Sequence, residues 1–374
     1  MESERKRLGR VKRIVVKVGT SSITKGSGYG LDSKRMGGVA GEIKKLRDGG
    51  VEVVLVTSGA ISAGMDVMGL KKKPRDVRIL QSLASVGQTA LMQKYVEVFS
   101  KQGIRVGQVL LTRSDFEERE RYLNARNTML TLLHNRILPI VNENDAVSVR
   151  EIRVGDNDNL SAYTACCIEA DLLVMLSDID GVYTCDPKRD ESAVLIKVVR
   201  DFRKDLGEVS DKCSVKGVGG IKTKVEAAKK ATSMGINVVL ANSARKNILQ
   251  SIAKGEDVGT LFKAQKVLTD RLHWMKYSSK SRGVLTVDDG AKKILLKGSS
   301  SLLPVGVVKV SGSFRKGDVV DIADSDGGVF AKGVSNYDAG EVDRIKRAKS
   351  ADIERILGYR KYNEIVFKDN MVVL

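Results

Sequence analysis

The sequence predicts an α/β domain with a mainly parallel sheet between helices, followed by a small β-rich domain. Short segments rich in Val, Ile and Leu alternate with segments of helical periodicity over about the first 260 residues. This alternation is typical of parallel strands that helices cover on both faces. The predicted strands are Arg13–Val18, Glu52–Thr57, Arg105–Leu111, Ile137–Val141, Asp171–Ser177 and Ile236–Ala241. The predicted helices are Ser33–Arg47, Ile79–Ser100, Asn159–Ala170 and Ile221–Met234.

The pattern changes after about Thr260. Short strand-like segments separated by glycine-rich turns then dominate, with a helical turn near Asp289–Ile294. The strands predicted in this part are Lys292–Lys297, Val305–Val310, Asp318–Ile322 and Val329–Val334. We therefore expect an N-terminal tail (1–10), an α/β domain (11–263), a linker (264–281) and a β-rich domain (282–374).

Composition excludes several classes of protein. A hydrophobic content of 42% over 374 residues is enough for substantial cores. The chain has neither a run of about 18 apolar residues nor the apolar segment of a signal peptide, so we expect a cytoplasmic protein that does not enter the membrane. The four cysteines lack CxxC spacing, which disfavours a disulfide framework and a zinc site.

The net charge of +18 raises the question of nucleic-acid binding. The C-terminal part, Ser281–Leu374, holds 16 basic and 13 acidic residues, so the excess lies mostly in the larger N-terminal part. A solvated, lysine-rich surface explains this distribution better than a dedicated nucleic-acid groove.

The segment Val141–Leu160 is the most polar stretch that follows a predicted strand. So many carboxylates and amides would build a poor core, but they suit a site for an ammonium group, a magnesium–nucleotide, or both. The polar residues are Asn142, Glu143, Asn144, Asp145, Glu151, Asp156, Asn157, Asp158 and Asn159.

Two strands end in turns of small residues. In Val15–Ser22, Lys17 lies within an apolar strand just before Gly19, where backbone N–H groups and an ammonium can bind phosphate. The alternative is that Lys17 extends its ammonium into water at the strand end. In Val56–Gly64, Ser58 can approach a ligand closely, although an ordinary strand-to-helix turn has the same composition.

Two later segments have similar features. Lys216–Lys224 places three glycines before Lys222, Thr223 and Lys224 at a helix start, which favours phosphate binding without the spacing of a Walker A loop. Ser177–Pro187 puts Asp178 at a strand end, as expected around a nucleotide. Together these segments indicate phosphoryl transfer. Since no histidine base stands out, a carboxylate acceptor, already ionised at pH 7, fits best.

The motifs VVKVGTS, VTSGAI, LLTRSDFEERERYLNARNT, VNENDAV, VGDNDNLSA and GVGGIKTK closely resemble the glutamate 5-kinase family of the amino acid kinase superfamily. The resemblance covers about residues 11–263. The later segments RGVLTVDDGAKKIL and GVSNY resemble a PUA domain, so that nearly the whole chain is covered.

This resemblance implies an activity and a set of site residues. The family transfers the γ-phosphoryl group of ATP, with Mg²⁺, to the side-chain carboxylate of L-glutamate. Lys17 and Lys224 would bracket the transferred group, and Asp158 would hold both lysines. Glutamate would contact Ser58, Asp145 and Asn157. The nucleotide site would comprise Lys17, Ser177, Asp178, Val218, Gly219, Gly220, Ile221, Lys222, Thr223 and Lys224.

The chain departs from the family pattern in its third loop. Val218 replaces a threonine and Ile221 a methionine, while Lys222 adds a positive charge that we interpret as solvent-exposed. The resemblance also implies a homo-oligomer and inhibition by proline at a site that overlaps the glutamate site. The charged segment Arg113–Arg126 is either a solvated helix or part of a subunit contact.

Two other functions stay open. One is a kinase of the same superfamily that acts on aspartate, acetylglutamate, carbamate or a nucleoside monophosphate. The other is RNA binding through the PUA domain. We do not favour RNA binding, because the C-terminal part has almost balanced charge.

Overall fold

A computed structural model of the chain describes residues 4, 5, 7–26, 29–147, 156–187, 190–206, 221–264, 281–297 and 300–374. The chain divides into two compact units. One holds residues 1–115 and 120–267, and the other holds 268–374 together with 116–119.

The first unit contains an eight-stranded sheet in the order β3-β4-β2-β1-β5-β7-β8-β6. Its strands are β1 (Arg13–Val18), β2 (Glu52–Val56), β3 (Val106–Leu111), β4 (Leu138–Glu143), β5 (Leu172–Ser177), β6 (Val198–Val199), β7 (Asn237–Asn242) and β8 (Thr260–Phe262). Neighbouring strands run parallel except β7 and β8, which are antiparallel. The mainly parallel α/β architecture is therefore confirmed, and the six predicted strands all form.

Helices accompany these strands in the described part of the unit. They are α1 (Ser33–Asp48), α2 (Ala60–Val67), α3 (Val77–Ser100), α4 (Arg113–Glu117), α5 (Arg119–His134), α6 (Asp156–Cys167), α7 (Phe202–Leu206), α8 (Ile221–Ser233) and α9 (Ile248–Ala253). Helix α6 begins three residues earlier than predicted. Asp158, which we placed before the helix, lies in its first turn, where a negative side chain interacts favourably with the helix dipole.

Helices α2 and α3 cross at unusually short range because both carry a glycine at the contact. A Cβ atom on Gly87 would lie 1.8 Å from the carbonyl oxygen of Ala60, and one on Gly64 would lie 2.0 Å from that of Leu83. Only glycine allows backbones to approach this closely. The crossing fixes the position of α3 against the start of α2, and therefore against the turn that follows β2.

The second unit contains a five-stranded sheet in the order β10-β9-β11-β12-β13. Its strands are β9 (Gly283–Val287), β10 (Val307–Gly312), β11 (Val319–Ala323), β12 (Val329–Val334) and β13 (Met371–Val373), and its helices are α10 (Asp289–Leu296), α11 (Ala339–Ile345) and α12 (Ile353–Leu357). The sheet is antiparallel apart from the parallel pair β9 and β11. The unit has its own core, which includes Phe314 and Tyr337.

One strand predicted in this unit is wrong. The segment Lys292–Lys297 lies in α10 and ends just after it, because Asp288 caps the helix by accepting a hydrogen bond from the backbone N–H of Ala291 at 2.8 Å. The apolar run at its end suggested a strand, although only Leu295 is buried there. Within the described residues, no helix is long and apolar enough to cross a membrane.

The close crossing predicts that replacing glycine by alanine lowers stability at the crossing but not at an open position of another helix. We expect Gly87→Ala to lower the free energy of unfolding by about 1–3 kcal/mol, because the methyl group must push α3 away from α2. Gly41→Ala in α1 is the control, since a Cβ there meets nothing within 4 Å; it should leave stability unchanged or raise it by up to about 1 kcal/mol. Urea denaturation measures both, and equal midpoints for the two variants would contradict the prediction.

Candidate active site

The carboxyl ends of the central strands bring most of the predicted site residues to one edge of the sheet. Lys17 is the penultimate residue of β1, and Ser177 is the last residue of β5. Ser58 lies two residues after β2, and Asn142 lies near the end of β4. Ligands of open α/β sheets bind at this edge, so the predicted residues lie where a ligand is expected.

A buried carboxylate joins two lysines from different elements. Asp158, in the first turn of α6, is 1% exposed. Its Oδ1 lies 2.5 Å from Nζ of Lys17, and its Oδ2 lies 3.4 Å from Nζ of Lys224, near the start of α8. The structure thus brings together the two lysines that the resemblance assigns to the transferred phosphoryl group and the aspartate that it assigns to hold them. It does not support the alternative that Lys17 extends into water, since Lys17 is 4% exposed.

In this cluster, the pKa of each charged group depends on the charges of its neighbours. Burial lowers the pKa of Lys17, and the nearby Lys224 lowers it further, while Asp158 acts in the opposite direction. For Asp158, burial alone would raise the pKa, but the ammonium groups of Lys17 and Lys224 outweigh burial and hold the pKa of the carboxyl below its ordinary value. Asp158 is therefore ionised at neutral pH, and it stabilises the charged form of Lys17.

Helix α8 contributes a second group to this arrangement. The hydroxyl of Thr223 donates a hydrogen bond to Oδ2 of Asp158 at 2.9 Å. Helices α6 and α8 pack against each other, and Asp158 and Lys224 both lie near the helix starts. The partial positive charge of two helix N-termini therefore adds to the lysines at this point, which suits bound phosphate oxygens. The sequence identified Thr223 only as a nucleotide contact, not as a partner of Asp158.

A cleft of about 410 Å³ lies beside the end of β4. Its lining includes Glu143, Asn144 and Asp145, together with Ala60 at the start of α2 and polar residues of α3. Asn157 lies close to this region, because its Oδ1 accepts a hydrogen bond from the backbone N–H of Glu143 at 3.4 Å. Among the predicted substrate residues, Asp145 lines the cleft, while Ser58 is half-buried two residues before Ala60.

Two hydrogen bonds near the cleft, one buried and one partly buried, were not predicted. Thr57 shares a 2.6 Å hydrogen bond with the hydroxyl of Tyr95, just before Ser58. Asn142 donates a 2.8 Å hydrogen bond from Nδ2 to Oε1 of Gln88 on α3. The helical spacing of the sequence could have identified Gln88, because it follows Ala84 by four residues and so lies on the buried face of α3. A polar residue on such a face has either a partner or a function.

The predicted nucleotide residues are only partly covered by the described structure. Ser177 donates a hydrogen bond from its hydroxyl to Asp178 at 3.1 Å, beside the turn that holds Gly19. Ile221 is the first residue of α8, and Lys222 is exposed, as interpreted from the sequence. Val218, Gly219 and Gly220 lie outside the described residues.

A parallel α/β sheet with paired lysines and helix starts at its carboxyl edge is the arrangement expected of a phosphotransferase. Sequence comparison identifies its class. The amino acid kinase family matches residues 12–242, and the PUA domain matches residues 283–357.

The chain belongs to the amino acid kinase family and, within it, to the glutamate 5-kinases that carry a C-terminal PUA domain. It is 44% identical over 364 residues to the glutamate 5-kinase of Caldanaerobacter subterraneus subsp. tengcongensis, covering 97% of this chain and 98% of the relative. It is 46% identical over 364 residues to that of Dictyoglomus turgidum, covering 97% of each chain. With the enzyme of Syntrophotalea carbinolica, it shares 43% identity over 368 residues and 98% of each chain.

The cluster predicts which lysine of α8 matters for turnover. We expect Lys224→Ala to lower kcat by about a hundredfold to a thousandfold, the size of effect seen when one electrostatic group is removed from a transition state. Lys229→Ala, an exposed lysine of the same helix, should retain wild-type turnover. Release of ADP at saturating ATP measures both variants, and thermal melts confirm that each is folded. Equal losses in the two variants would contradict the assignment.

The cluster also predicts a change in pH dependence. Lys17 must be protonated to attract a phosphoryl group, and its pKa is already low because it is buried. Asp158→Asn removes the carboxylate that raises this pKa, so Lys17 should lose its proton at lower pH. We therefore expect the alkaline fall in kcat to move to lower pH in the variant.

Profiles of kcat from neutral pH up to about the ordinary pKa of lysine measure this shift. Thr223→Val is the control, since it removes a hydrogen bond to Asp158 but keeps the carboxylate. Titration of the substrate ammonium is common to all variants. An alkaline limb that stays in place in Asp158→Asn would show that Lys17 does not control it.

Proposed function

We propose that the chain transfers the γ-phosphoryl group of ATP to the side-chain carboxylate of L-glutamate. The product is L-glutamyl 5-phosphate, and the reaction is the first step of proline biosynthesis. The observation that carries the proposal is the buried Lys17–Asp158–Lys224 cluster beside an acidic cleft, in a chain of the glutamate 5-kinase family.

The acceptor chemistry agrees with the residues at the site. A carboxylate with an ordinary pKa near 4.3 is ionised at pH 7, so the nucleophile needs no general base. Its difficulty is repulsion from the γ-phosphate, which is also negative. Lys17 and Lys224 supply positive charge between the two anions, and Asp158 fixes where that charge lies. Positioning and charge neutralisation are the main catalytic contributions in phosphoryl transfer.

The two ends of glutamate require opposite surroundings. The side-chain carboxylate belongs near the lysines, while the α-ammonium belongs near carboxylates. Asp145 lines the cleft with Glu143, and we assign the ammonium to Asp145. We assign Ser58 and Asn157 as further contacts of glutamate. Their positions after β2 and in the first turn of α6 support these roles.

Ser177 and Asp178, at the end of β5, together with the start of α8, would contact ATP. Magnesium would accompany the nucleotide, since Mg²⁺ in such sites is held largely by phosphate oxygens and water. In the described part of the chain no group of three His, Cys, Asp or Glu side chains could hold a metal ion by itself.

Further properties of the family extend the proposal. We expect inhibition by proline through the glutamate cleft, assembly into a homo-oligomer, and action in the cytoplasm, where ATP is available. RNA binding by the PUA domain is a second function that we do not favour, because the charge of the C-terminal part is almost balanced.

The decisive experiment traps the product. Full-length protein is incubated with ATP, Mg²⁺, L-glutamate and hydroxylamine, which converts an acyl phosphate into a hydroxamate that gives a coloured complex with added ferric iron. We expect hydroxamate with L-glutamate. L-Aspartate and N-acetylglutamate test other carboxylate acceptors, and release of ADP with uridine monophosphate tests a nucleotide acceptor.

Turnover with one of these acceptors instead of glutamate would support the assignment as a kinase but contradict the assignment of glutamate as its substrate. No turnover with any acceptor, combined with salt-dependent binding of structured RNA, would favour the RNA-binding function. Lys224→Ala provides the background rate in every arm.

A further inference from the structure

The side-chain nitrogen of Gln88 is a buried hydrogen-bond donor that the described part of the chain leaves without a partner. Gln88 lies on α3 and lines the cleft together with Glu143 and Asp145. Buried polar groups in folded proteins are nearly always hydrogen-bonded, because an unmade bond costs free energy. A donor left over at the wall of a cleft therefore indicates a bond that forms with a ligand.

The orientation of this amide is fixed by the backbone. The N–H of Glu143 can only donate, and it donates to Oδ1 of Asn142 at 2.9 Å. Asn142 must therefore direct its Nδ2 toward Gln88, whose Oε1 accepts at 2.8 Å. The remaining atom of the Gln88 amide is then Nε2, a donor. A flip of either amide would place two donors or two acceptors against each other.

Gln88 is also held firmly in position. Its neighbour Gly87 makes the close backbone crossing with Ala60, at the start of α2. Asn142 is 1% exposed and lies near the end of β4, within the central sheet. The donor is therefore attached to two rigid elements, which is the arrangement that a precise ligand contact requires.

The surroundings indicate which ligand atom the donor binds. The cleft combines the carboxylates of Glu143 and Asp145 with the unsatisfied amide donor of Gln88. An α-amino acid presents an ammonium and a carboxylate on the same carbon atom. The carboxylates suit the ammonium, and the amide N–H suits a carboxylate oxygen.

We propose that Nε2 of Gln88 donates a hydrogen bond to the α-carboxylate of the amino-acid acceptor. This bond favours free amino acids over their α-amides, because an ionised carboxylate accepts a hydrogen bond more strongly than a neutral amide carbonyl does. The inference rests on the proposed function, because it assigns a contact to the acceptor of that reaction. Gln88 is then a specificity-determining residue at the end of the substrate remote from the transferred phosphoryl group.

The test compares two acceptors in two variants. Gln88→Glu keeps an oxygen for Asn142 but replaces the donor by a second oxygen with negative charge. It should raise the KM for L-glutamate at least tenfold and change kcat much less, because the lost contact is remote from the reacting atoms. For glutamate α-amide, whose amide can donate to the new carboxylate, the KM should stay level or fall.

The measured quantity is the ratio of kcat/KM for L-glutamate to that for the α-amide. We expect it to fall at least tenfold in Gln88→Glu. Gln93→Glu is the matched control, since it introduces the same charge at an exposed position of the same helix; it should keep the wild-type ratio. If Gln88→Glu does not fold, Gln88→Met removes the donor without a charge, and its ratio should fall in the same direction.

Each failure has a different signature. If kcat/KM falls by the same factor for both acceptors, Gln88 only supports the structure and the proposal is overturned. An unchanged ratio in a folded variant overturns it as well. If the wild-type chain forms no hydroxamate with L-glutamate, the proposed function itself has failed, and that result is obtained before any variant is made.

Discussion

The ion pair between Lys17 and Asp158 is the interaction on which the site depends. Removing Asp158 would leave Lys17 buried without its counter-ion, which is far more costly than an exposed unpaired charge, and removing Lys17 would leave the buried Asp158 with Lys224 alone. The pair joins the central strand β1 to the first turn of α6, and Lys224 attaches α8 to the same carboxylate. The charges needed for phosphoryl transfer are therefore also contacts between three elements of the fold.

A second constraint places the acceptor cleft. The glycine crossing of α2 and α3 brings α3 against the turn after β2, and the Asn142–Gln88 hydrogen bond connects α3 to the end of β4. Ser58, Gln88 and Asp145 come from separate segments of the chain, and the helix crossing and the Asn142–Gln88 side-chain hydrogen bond connect those segments. The cleft is thus shaped by packing at the sheet edge rather than by loop conformation alone.

Much of this arrangement could be predicted from the sequence, because parallel strands with continuous apolar runs place their carboxyl ends together. Lys17, Asp158 and Lys224 were identified in this way and through the family motifs, and the structure brings them into contact. The Gln88–Asn142 contact was missed because it joins residues 54 positions apart, and no local pattern specifies such a pair. The error at Lys292–Lys297 has the opposite cause, since an apolar run suggested a strand where the Asp288 cap starts a helix.

The charge pattern of the site matches that of an amino acid with an acidic side chain. Positive charge lies at the Lys17–Lys224 end, where a side-chain carboxylate must approach the γ-phosphate. Negative charge lies in the cleft at Glu143 and Asp145, where an ammonium is stabilised.

A site with only these charges would also accept molecules that lack the α-carboxylate, because nothing would distinguish them. One neutral donor next to the acidic residues supplies the missing discrimination without adding a cation that would repel the ammonium. An amide is a hydrogen-bond donor without positive charge, whereas a lysine or an arginine would bring a cation. This is the physical reason for a glutamine at position 88.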